Sequence, residues 1–482
     1  MGIRVYNTLT KRLEDFKPFE DRLVKMYVCG PTVQDVAHLG HARTYIAFDA
    51  IIRFLEYRGY RVFYVRNITD VGHIREESGR DRILEGADRE RLEPMELVDK
   101  YMLMFFEDMD ALKLKRPNIQ PRATMHILDM IEMVKSLIEK GYAYEVNGNV
   151  YFDVSKFPDY GKLSGTKYEE LIKHRVEPDP RKRNPADFAL WKKAERGYLL
   201  KWPSIWGEGF PGWHIECSVM SMKYLGPQID IHGGGQELIL PHHENEIAQS
   251  EAFTGKKPFV KYWLHTGYLT IAGEKMSKSL GNFITIKEAL KKHDADVVRF
   301  FVLSSHYRSN IDYNEEAMER AADAVDRIRS TLKELYYMKD GAQAHSEEHE
   351  TALGICAEMR EKFIDAMEMD FNTPEALSAL HELIRKANMY LSSGTTTKAG
   401  IDAYYNTILE LCNSVGLLQD FKPEAELESV IASKVLQILL NVRGELRKMG
   451  AYDLSDRIRE SLKDIGIFVE DTKEGQKVKL KK

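Results

Sequence analysis

Four groups of side chains in the 482-residue chain have types and spacing that could do chemistry: Cys29 with His38 and His41, Cys217, His242 with Glu246, and Lys275 with Lys278. In the first group, Val24, Met26 and Val28 alternate with Lys25 and Tyr27 immediately before Cys29. Alternation of this kind predicts a strand over 24–28. Gly30-Pro31 ends it, and the apolar spacing of Ala47, Ile51, Ile52 and Leu55 predicts a helix from about residue 42. A strand, a turn and a helix open a parallel sheet, and ligands bind at the carboxyl ends of such strands. His38 and His41 flank Leu39-Gly40 at the helix start. The amides there favour phosphate, Gly40 lets backbone come close, and two imidazoles can donate to charge on a phosphoryl oxygen. On its own, the pair also reads as two surface histidines beside a helix.

The second and third groups lie about 190 residues further on, in Gly212-Trp213-His214-Ile215-Glu216-Cys217-Ser218 and Pro241-His242-His243-Glu244-Asn245-Glu246. Between them, Asp230-Ile231-His232-Gly233-Gly234-Gly235 predicts a strand end and a glycine turn. Pro241 suits the first turn of a helix, on which His242 and Glu246 share a face. Two thiolates, an imidazole and a carboxylate make a tetrahedral zinc set. Spacing alone does not bring Cys29 to Cys217, so two buried free thiols beside a solvated His–Glu pair stay open as a reading. The fourth group sits in a polar loop between Gly273 and Gly281, where Lys275 and Lys278 can reach a triphosphate. An exposed basic hairpin is the alternative there.

The elements that must position these groups follow from pattern and punctuation. A second strand over 61–67 completes a βαβ unit with a right-handed crossover. The charged stretch 76–96, with Gly79 and Gly86 as hinges, predicts a mobile excursion over the active face. Helices follow over 94–112 and 123–140, then strands over 142–146 and 149–152 joined by an Asn147-Gly148 hairpin turn. Residues 153–208 form an irregular insertion whose tryptophans pack it onto the main domain. Thr285 with Glu288 makes a capping box. Long amphipathic helices over 315–337, 351–368, 373–391 and 400–415 predict a bundle, then a linker over 416–426 and a small module with a basic tail. A net charge of −6 argues neither for nor against nucleic acid. No apolar run reaches membrane-spanning length and no signal-peptide pattern opens the chain. Four scattered cysteines suit a reducing cytosol, with Cys356 and Cys412 as core filler.

Taken together, the motifs resemble a class I aminoacyl-tRNA synthetase and, within that class, the cysteinyl-tRNA synthetase family. His38-Leu39-Gly40-His41 is similar to that class's HIGH signature, and Lys275-Met276-Ser277-Lys278-Ser279 is a complete KMSKS signature. Trp213–Ser218, 242–246 and Asp370-Phe371-Asn372-Thr373-Pro374 extend the likeness over nearly the whole chain. It implies an α/β fold: a Rossmann-like parallel-sheet catalytic domain at 1–313 with an inserted segment at about 115–205 and a KMSKS loop at 275–279, a helical-bundle tRNA-binding domain at 314–418, and a small anticodon-recognition module at 425–482. By this resemblance, Cys29, Cys217, His242 and Glu246 hold zinc. His38, His41, Lys275 and Lys278 are catalytic and, with Thr32 and Gly40, bind ATP. Gly30, Thr69, Trp213 and Glu237 form the amino-acid pocket.

The activity so implied is ATP-dependent activation of L-cysteine to cysteinyl-adenylate, then transfer to the 3′-terminal adenosine of tRNA(Cys), with magnesium accompanying ATP. Zinc would bind the substrate thiolate, because shape alone does not separate serine from cysteine. The expected partners are tRNA(Cys), L-cysteine and ATP, with no membrane, a monomeric chain and a cytoplasmic location. Three positions depart from the family pattern: Glu237 where an Asp is usual, Phe210 where many members have Arg, and Lys479 where an aromatic is common. Two other readings stay open. A cysteine:amino-sugar ligase would share the catalytic residues but lack the terminal module, and a non-catalytic tRNA-binding paralogue would have no use for His38, His41 and Lys278.

Overall fold

A computed structural model describes residues 2–72, 81–166, 179–276, 281–339, 342, 348–464, 467–472 and 475–480. The chain divides into two compact units, 1–419 and 420–482. An antiparallel hairpin, β1 (Arg4–Asn7) and β2 (Arg12–Asp15), precedes β3 (Leu23–Val28), α1 (Leu39–Tyr57) and β4 (Arg61–Arg66). Helices α2 (Arg82–Glu90), α3 (Pro94–Ala111) and α4 (Ile127–Glu139) follow, then four antiparallel strands: β5 (Ala143–Val146), β6 (Asn149–Phe152), β7 (Phe188–Lys193) and β8 (Gly209–Pro211). The chain then returns through α5 (Trp213–Leu225), β9 (Ile229–Gly235), α6 (Glu244–Thr254) and β10 (Val260–Thr266).

The central sheet is parallel, in the order β10-β9-β3-β4. Connections from β3 run one way to β4 and the other way to β9, so the carboxyl ends of β3 and β9 flank the point where the order reverses. Open α/β sheets bind ligands at that point. Its apolar filling explains its place: Tyr27, Val65 and Trp263 are fully buried in one cluster, and Met26 and Ile231 are fully buried on the other face. Met26 pairs with Ile231 and Val28 with Gly233. Strand β9 runs on through Gly235, past the strand end and glycine turn expected at 233–235. The reason is steric. A side chain at Gly233 would run into the Phe48 ring of α1, so only glycine lets the helix lie this close.

Helix α1 begins at Leu39, three residues before the expected start, because His38 caps it. The stretch expected to be a mobile excursion contains α2. Its N-cap Asp81 accepts from the amides of Ile83 and Leu84, and it buries Ile83, Gly86 and Ala87. Gly86 packs against Leu97 of α3 and is not a hinge, while Gly79 lies outside the described residues. Residues 123–126 form a 3₁₀ turn before α4. Asn147 and Gly148 both take positive φ (51° and 87°), as the tight hairpin between β5 and β6 requires. In the insertion, Trp191 is fully buried and packs against Trp206. The insertion is anchored by Glu244 of α6, whose buried carboxylate accepts from the amides of Gly161 (2.9 Å), Leu163 (3.1 Å) and Ser164 (2.8 Å).

After β10 come β11 (Leu269–Ile271), β12 (Glu274–Lys275), α7 (Ile286–Lys292), α8 (Ala295–Leu303) and β13 (Ile311–Tyr313). The bundle is α9 (Glu315–Met338), α10 (Glu348–Glu368), α11 (Thr373–Ser392) and α12 (Lys398–Ser414), with Cys356 and Cys412 buried in it. It packs as part of the first unit. Arg299 of α8 joins three segments: it donates to Asp49 of α1 (2.6 Å), to Leu112 O (3.3 Å) and to Val415 O (3.0 Å). Leu417 and Leu418 are buried as well, so the linker expected from 416 starts after Gln419. The second unit comprises α13 (Pro423–Lys448), α14 (Tyr452–Asp464) and an antiparallel hairpin of β14 (Ile467–Thr472) and β15 (Gly475–Leu480), around Leu440, Leu462 and Val469.

Removing one partner of a buried ion pair leaves an uncompensated charge. Arg299→Ala is therefore expected to lower the unfolding free energy by about 3 kcal/mol, measured by chemical denaturation. An exposed control such as Arg320→Ala should change it by less than about 0.5 kcal/mol.

Candidate metal centre and nucleotide site

Four side chains from three places in the chain meet at the end of β3. Cys29 follows that strand, Cys217 lies in the second turn of α5, and His242 and Glu246 bracket the start of α6. One ligand atom from each lies within 4.8 Å of all the others, and all four residues are buried. The sulfurs of Cys29 and Cys217 are 3.9 Å apart, and Glu246 Oε1 is 3.0 Å from His242 Nε2 and 3.9 Å from Cys29 Sγ. Two thiolates bound tetrahedrally to zinc at about 2.3 Å would lie about 3.8 Å apart. The donor set and its spacing therefore fit zinc. The helical i,i+4 relation of His242 and Glu246 survives, although the turn that carries His242 is irregular.

Further histidines, which the motifs had not singled out for a role, surround this centre, and His214 Nδ1 lies 3.0 Å from His242 Nδ1. His232 Nε2 lies 2.9 Å from the other oxygen of Glu246, and His243 Nε2 lies 3.3 Å from Cys29 Sγ. His243 Nδ1 continues to His265 Nε2 (2.8 Å), whose Nδ1 meets Thr8 (2.9 Å). Cys29, His232, His243 and Glu246 thus form a second, overlapping set. The set with two thiolates suits zinc better, since soft sulfur ligands select it. The charges reflect the crowding. Against burial, which raises it, His232 and His242 bring the Glu246 carboxyl down to about 2. Against burial, which raises it, the Cys29 thiol and His242 bring Cys217 down to about 6. Burial, then Cys217, pushes the Cys29 thiol well up.

The residues expected around the amino acid gather beside this centre, with one exception. Gly30 lies so close to Asn67 that no side chain fits, and its amide donates to Asn67 Oδ1 (2.7 Å). Asn67 Nδ2 in turn donates to Thr69 (3.3 Å), and Thr69 Oγ1 donates to the buried Glu216 (2.8 Å). Trp213 stacks on His242 at 4.2 Å between ring centres. Glu237 is exposed on a 3₁₀ turn, its carboxylate folded back over Gly235. Phe210 is buried and stacks on Tyr198 at 4.7 Å, and Tyr198 donates to Asp81 (2.5 Å). Asn67 and Glu216 were missed: both stand inside recognised stretches, but only the fold shows that Thr69 joins them.

His38 and His41 stack at the start of α1, with ring centres 3.9 Å apart. His38 Nδ1 accepts from the Gly40 amide (3.0 Å) and His41 Nδ1 from the His38 amide (3.3 Å). With both Nδ1 atoms accepting, the neutral rings carry their hydrogens on Nε2. Thr32 bridges to Thr69 across the same edge. Tyr45 of α1 donates to Cys29 O (3.1 Å), tying helix to metal centre. The polar loop returns to this spot: Leu39 N donates to Ile284 O (3.1 Å), Phe283 sits edge-on to His38, and Met276 is buried near Gly40. Lys275 ends β12, its side chain lying outside the description, and Lys278 falls outside the described residues. Lys479 lies on β15, opposite Phe468.

This framework, a parallel sheet with paired histidines at a helix start, is that of the class I tRNA synthetases. The sequence model described as "tRNA synthetases class I (C) catalytic domain" matches residues 15–323, and a DALR domain matches 362–419. The fold is also that of Mycobacterium tuberculosis methionyl-tRNA synthetase in complex with methionyl-adenylate, with a TM-score of 0.60 at 17% identity over 87% of this chain and 94% of that one. Over 98% of both chains, the sequence is 51% identical to a cysteine–tRNA ligase of Thermococcus onnurineus. It is 46% identical to one of Chlorobaculum tepidum, again over 98% of both. The chain belongs to the cysteine–tRNA ligase family.

Burial lowers His41 from its ordinary 6.5 to about 4. The unfolded chain takes up that proton near pH 6.5, whereas the folded chain refuses it until about pH 4. The stability from keeping this ring neutral is thus complete above pH 6.5 and is lost as pH falls to about 4. In unfolding titrations, wild type should lose stability relative to His41→Asn across that window and run parallel to it above.

Proposed function

We propose that this chain is a working cysteine–tRNA ligase whose metal centre reads the substrate's sulfur. The observation that carries the reading is the buried Cys29–Cys217–His242–Glu246 cluster, tied through Tyr45 to the helix that presents His38 and His41. Zinc, when bound, supplies a site with strong preference for a thiolate over a neutral hydroxyl. Cys29, Cys217, His242 and Glu246 would hold it, and His232 and His243 would orient Glu246 and Cys29 by hydrogen bonds. Trp213, Thr69 and Gly30 would bound the amino-acid pocket, with Gly30 letting Asn67 close in beside it. Glu237 would come to an ammonium group only by swinging away from Gly235.

In the first step the cysteine carboxylate attacks the α-phosphorus of ATP. A C–O–P bond forms, the bond to the β-phosphate oxygen breaks, and pyrophosphate leaves. The Nε2–H groups of His38 and His41, the amides at the start of α1 and the Lys275 and Lys278 ammonium groups would stabilise the added charge. Thr32 and Gly40 would flank the nucleotide. In the second step a ribose hydroxyl of the terminal adenosine of tRNA(Cys) attacks the carbonyl, and AMP leaves. Catalysis is then positioning and electrostatics without a covalent enzyme intermediate. We assign 1–313 to catalysis, 314–418 to tRNA binding and 425–482 to anticodon recognition. The four free buried cysteines suit a reducing cytoplasm, where the chain would act as a monomer. No helix among the described residues is long and apolar enough to cross a membrane.

Zinc-loaded protein should charge total tRNA with cysteine and not with serine. Cysteine-dependent pyrophosphate exchange without charging would instead indicate a ligase acting on an amino-sugar or similar acceptor. Neither reaction at verified zinc occupancy would refute the enzyme reading. Cys217→Ser and Glu246→Gln should lower bound zinc, read by elemental analysis, about 10- to 100-fold or more in affinity. Cys356→Ser, in the bundle, should retain it.

A further inference from the structure

Two residues beyond His41, Arg43 lies in the interior with 1% of its surface exposed. Its guanidinium is spent on carbonyls: Nη1 donates to Val302 (3.2 Å), and Nη2 to His306 (2.7 Å), Tyr307 (3.2 Å) and Ser309 (3.0 Å). The same short segment, 304–310, is gripped from another side by Asp370. The Tyr307 hydroxyl donates to Asp370 Oδ1 (2.8 Å), Arg308 Nε donates to Oδ2 (2.7 Å), and His306 Nε2 lies 3.6 Å from Oδ2. Asp370 occupies the tight turn between α10 and α11, where it and Phe371 take φ of 59° and 52°. Oδ1 also accepts from the Tyr6 amide (2.8 Å), so the turn cannot drift from the body of the catalytic half.

From this segment the chain enters β13, which runs parallel to β11, the strand that pairs with β12 and Lys275. The connection is dense. Gly267 N donates to Tyr307 O (2.8 Å), and Tyr268 N donates to Asn310 (2.9 Å). Asp312 accepts from Thr270 (2.7 Å) and from the Gly273 amide (2.8 Å). One segment therefore touches the helix of His38 and His41, the stem that leads to Lys275, and the turn between α10 and α11. A buried guanidinium and a buried carboxylate are costly means of packing, since apolar side chains of similar volume serve as well. What they add is directional: a planar fork on fixed carbonyls and a carboxylate on fixed donors define orientation.

We propose that Arg43 and Asp370 are positioning residues for adenylate formation. Through 304–310 they hold the histidine helix and the stem of the lysine loop in one register, so that the bundle sets the geometry of the ATP site. The proposal rests on the assignment of His38, His41, Lys275 and Lys278 to ATP.

The test is cysteine-dependent pyrophosphate exchange by full-length zinc-loaded protein carrying Asp370→Asn, with Arg308→Gln as a second, half-exposed variant of the same contact. Expected is a loss of kcat of about tenfold to a hundredfold, since a small misplacement of reacting groups costs that much. The KM for cysteine and the zinc content should stay at wild-type values. In a Lys278→Ala background the same substitutions should have little further effect, because both remove one coupled function. Arg43→Lys should recover part of what Arg43→Ala loses. Losses that multiply with Lys278→Ala, or a change confined to zinc content or to the KM for cysteine, would overturn the proposal. An unchanged Lys278→Ala enzyme would overturn the ATP-site assignment and the proposal with it.

Discussion

Glu246 is a carboxylate with none of its surface in water, and much of the catalytic half is arranged around making that tolerable. An ion in a protein interior loses several kcal/mol of hydration, which only close partners restore. Those partners are His232 on one oxygen and His242 on the other. One comes from strand β9 and the other from the irregular turn before α6, so neither element can shift without stranding the charge. His243 and His265 extend the network to the amino-terminal hairpin through Thr8. The two thiols complete a dense patch of donors that are neutral or negative. Such a patch suits a doubly charged cation, and it explains why so many titratable groups lie together where a core would ordinarily be apolar.

Helix α1 couples this centre to the His38–His41 pair. Its first turn presents two imidazoles whose Nδ1 atoms are already used by backbone amides, which places the ring hydrogens on Nε2. One turn on, Tyr45 holds the Cys29 carbonyl, and further along Asp49 receives Arg299 and Arg53. A single rigid element thus fixes the distance between the Cys29 cluster and the His38–His41 pair, to which the proposed function gives the substrate's sulfur and the phosphates. That division matters for chemistry in which a carboxylate must meet an α-phosphate in line.

Much of the site was legible because its residues come in short clusters with strong spacing, such as His38 to His41 and His242 to Glu246. Spacing did not show the pairing of Cys29 with Cys217, which the resemblance alone implied, since 188 residues separate them and the sheet order brings them together. Strand β9 was read too short because glycine is a poor strand former. Its three glycines are nonetheless buried, and Gly233 gives its space to Phe48. Helix α2 was hidden by its charge: only Ile83, Gly86 and Ala87 face inward, too few for a clear periodic stripe. The departure at Phe210 has a plain structural meaning, for it stacks on Tyr198, which holds Asp81. Asp370 and Arg43 illustrate the opposite limit. Both stand in or beside recognised motifs, yet their shared partner, the segment 304–310, has no pattern that announces it.

The anchoring of the insertion bears on how this architecture can change over time. Glu244 satisfies three amides of the 161–164 turn, and it sits two residues from Glu246 on the same helix. The insertion is therefore not a detachable appendage. A lineage that deleted it would strip Glu244 of these three donors, on the very helix that carries Glu246. Shortening can proceed safely only if Glu244 is first replaced by an apolar residue, which in turn would loosen the insertion while it is still present. Each single change is penalised although the pair together is acceptable. The two features are expected to be inherited or lost as a unit, and chimaeras that exchange this segment between distant relatives should work only when position 244 travels with it.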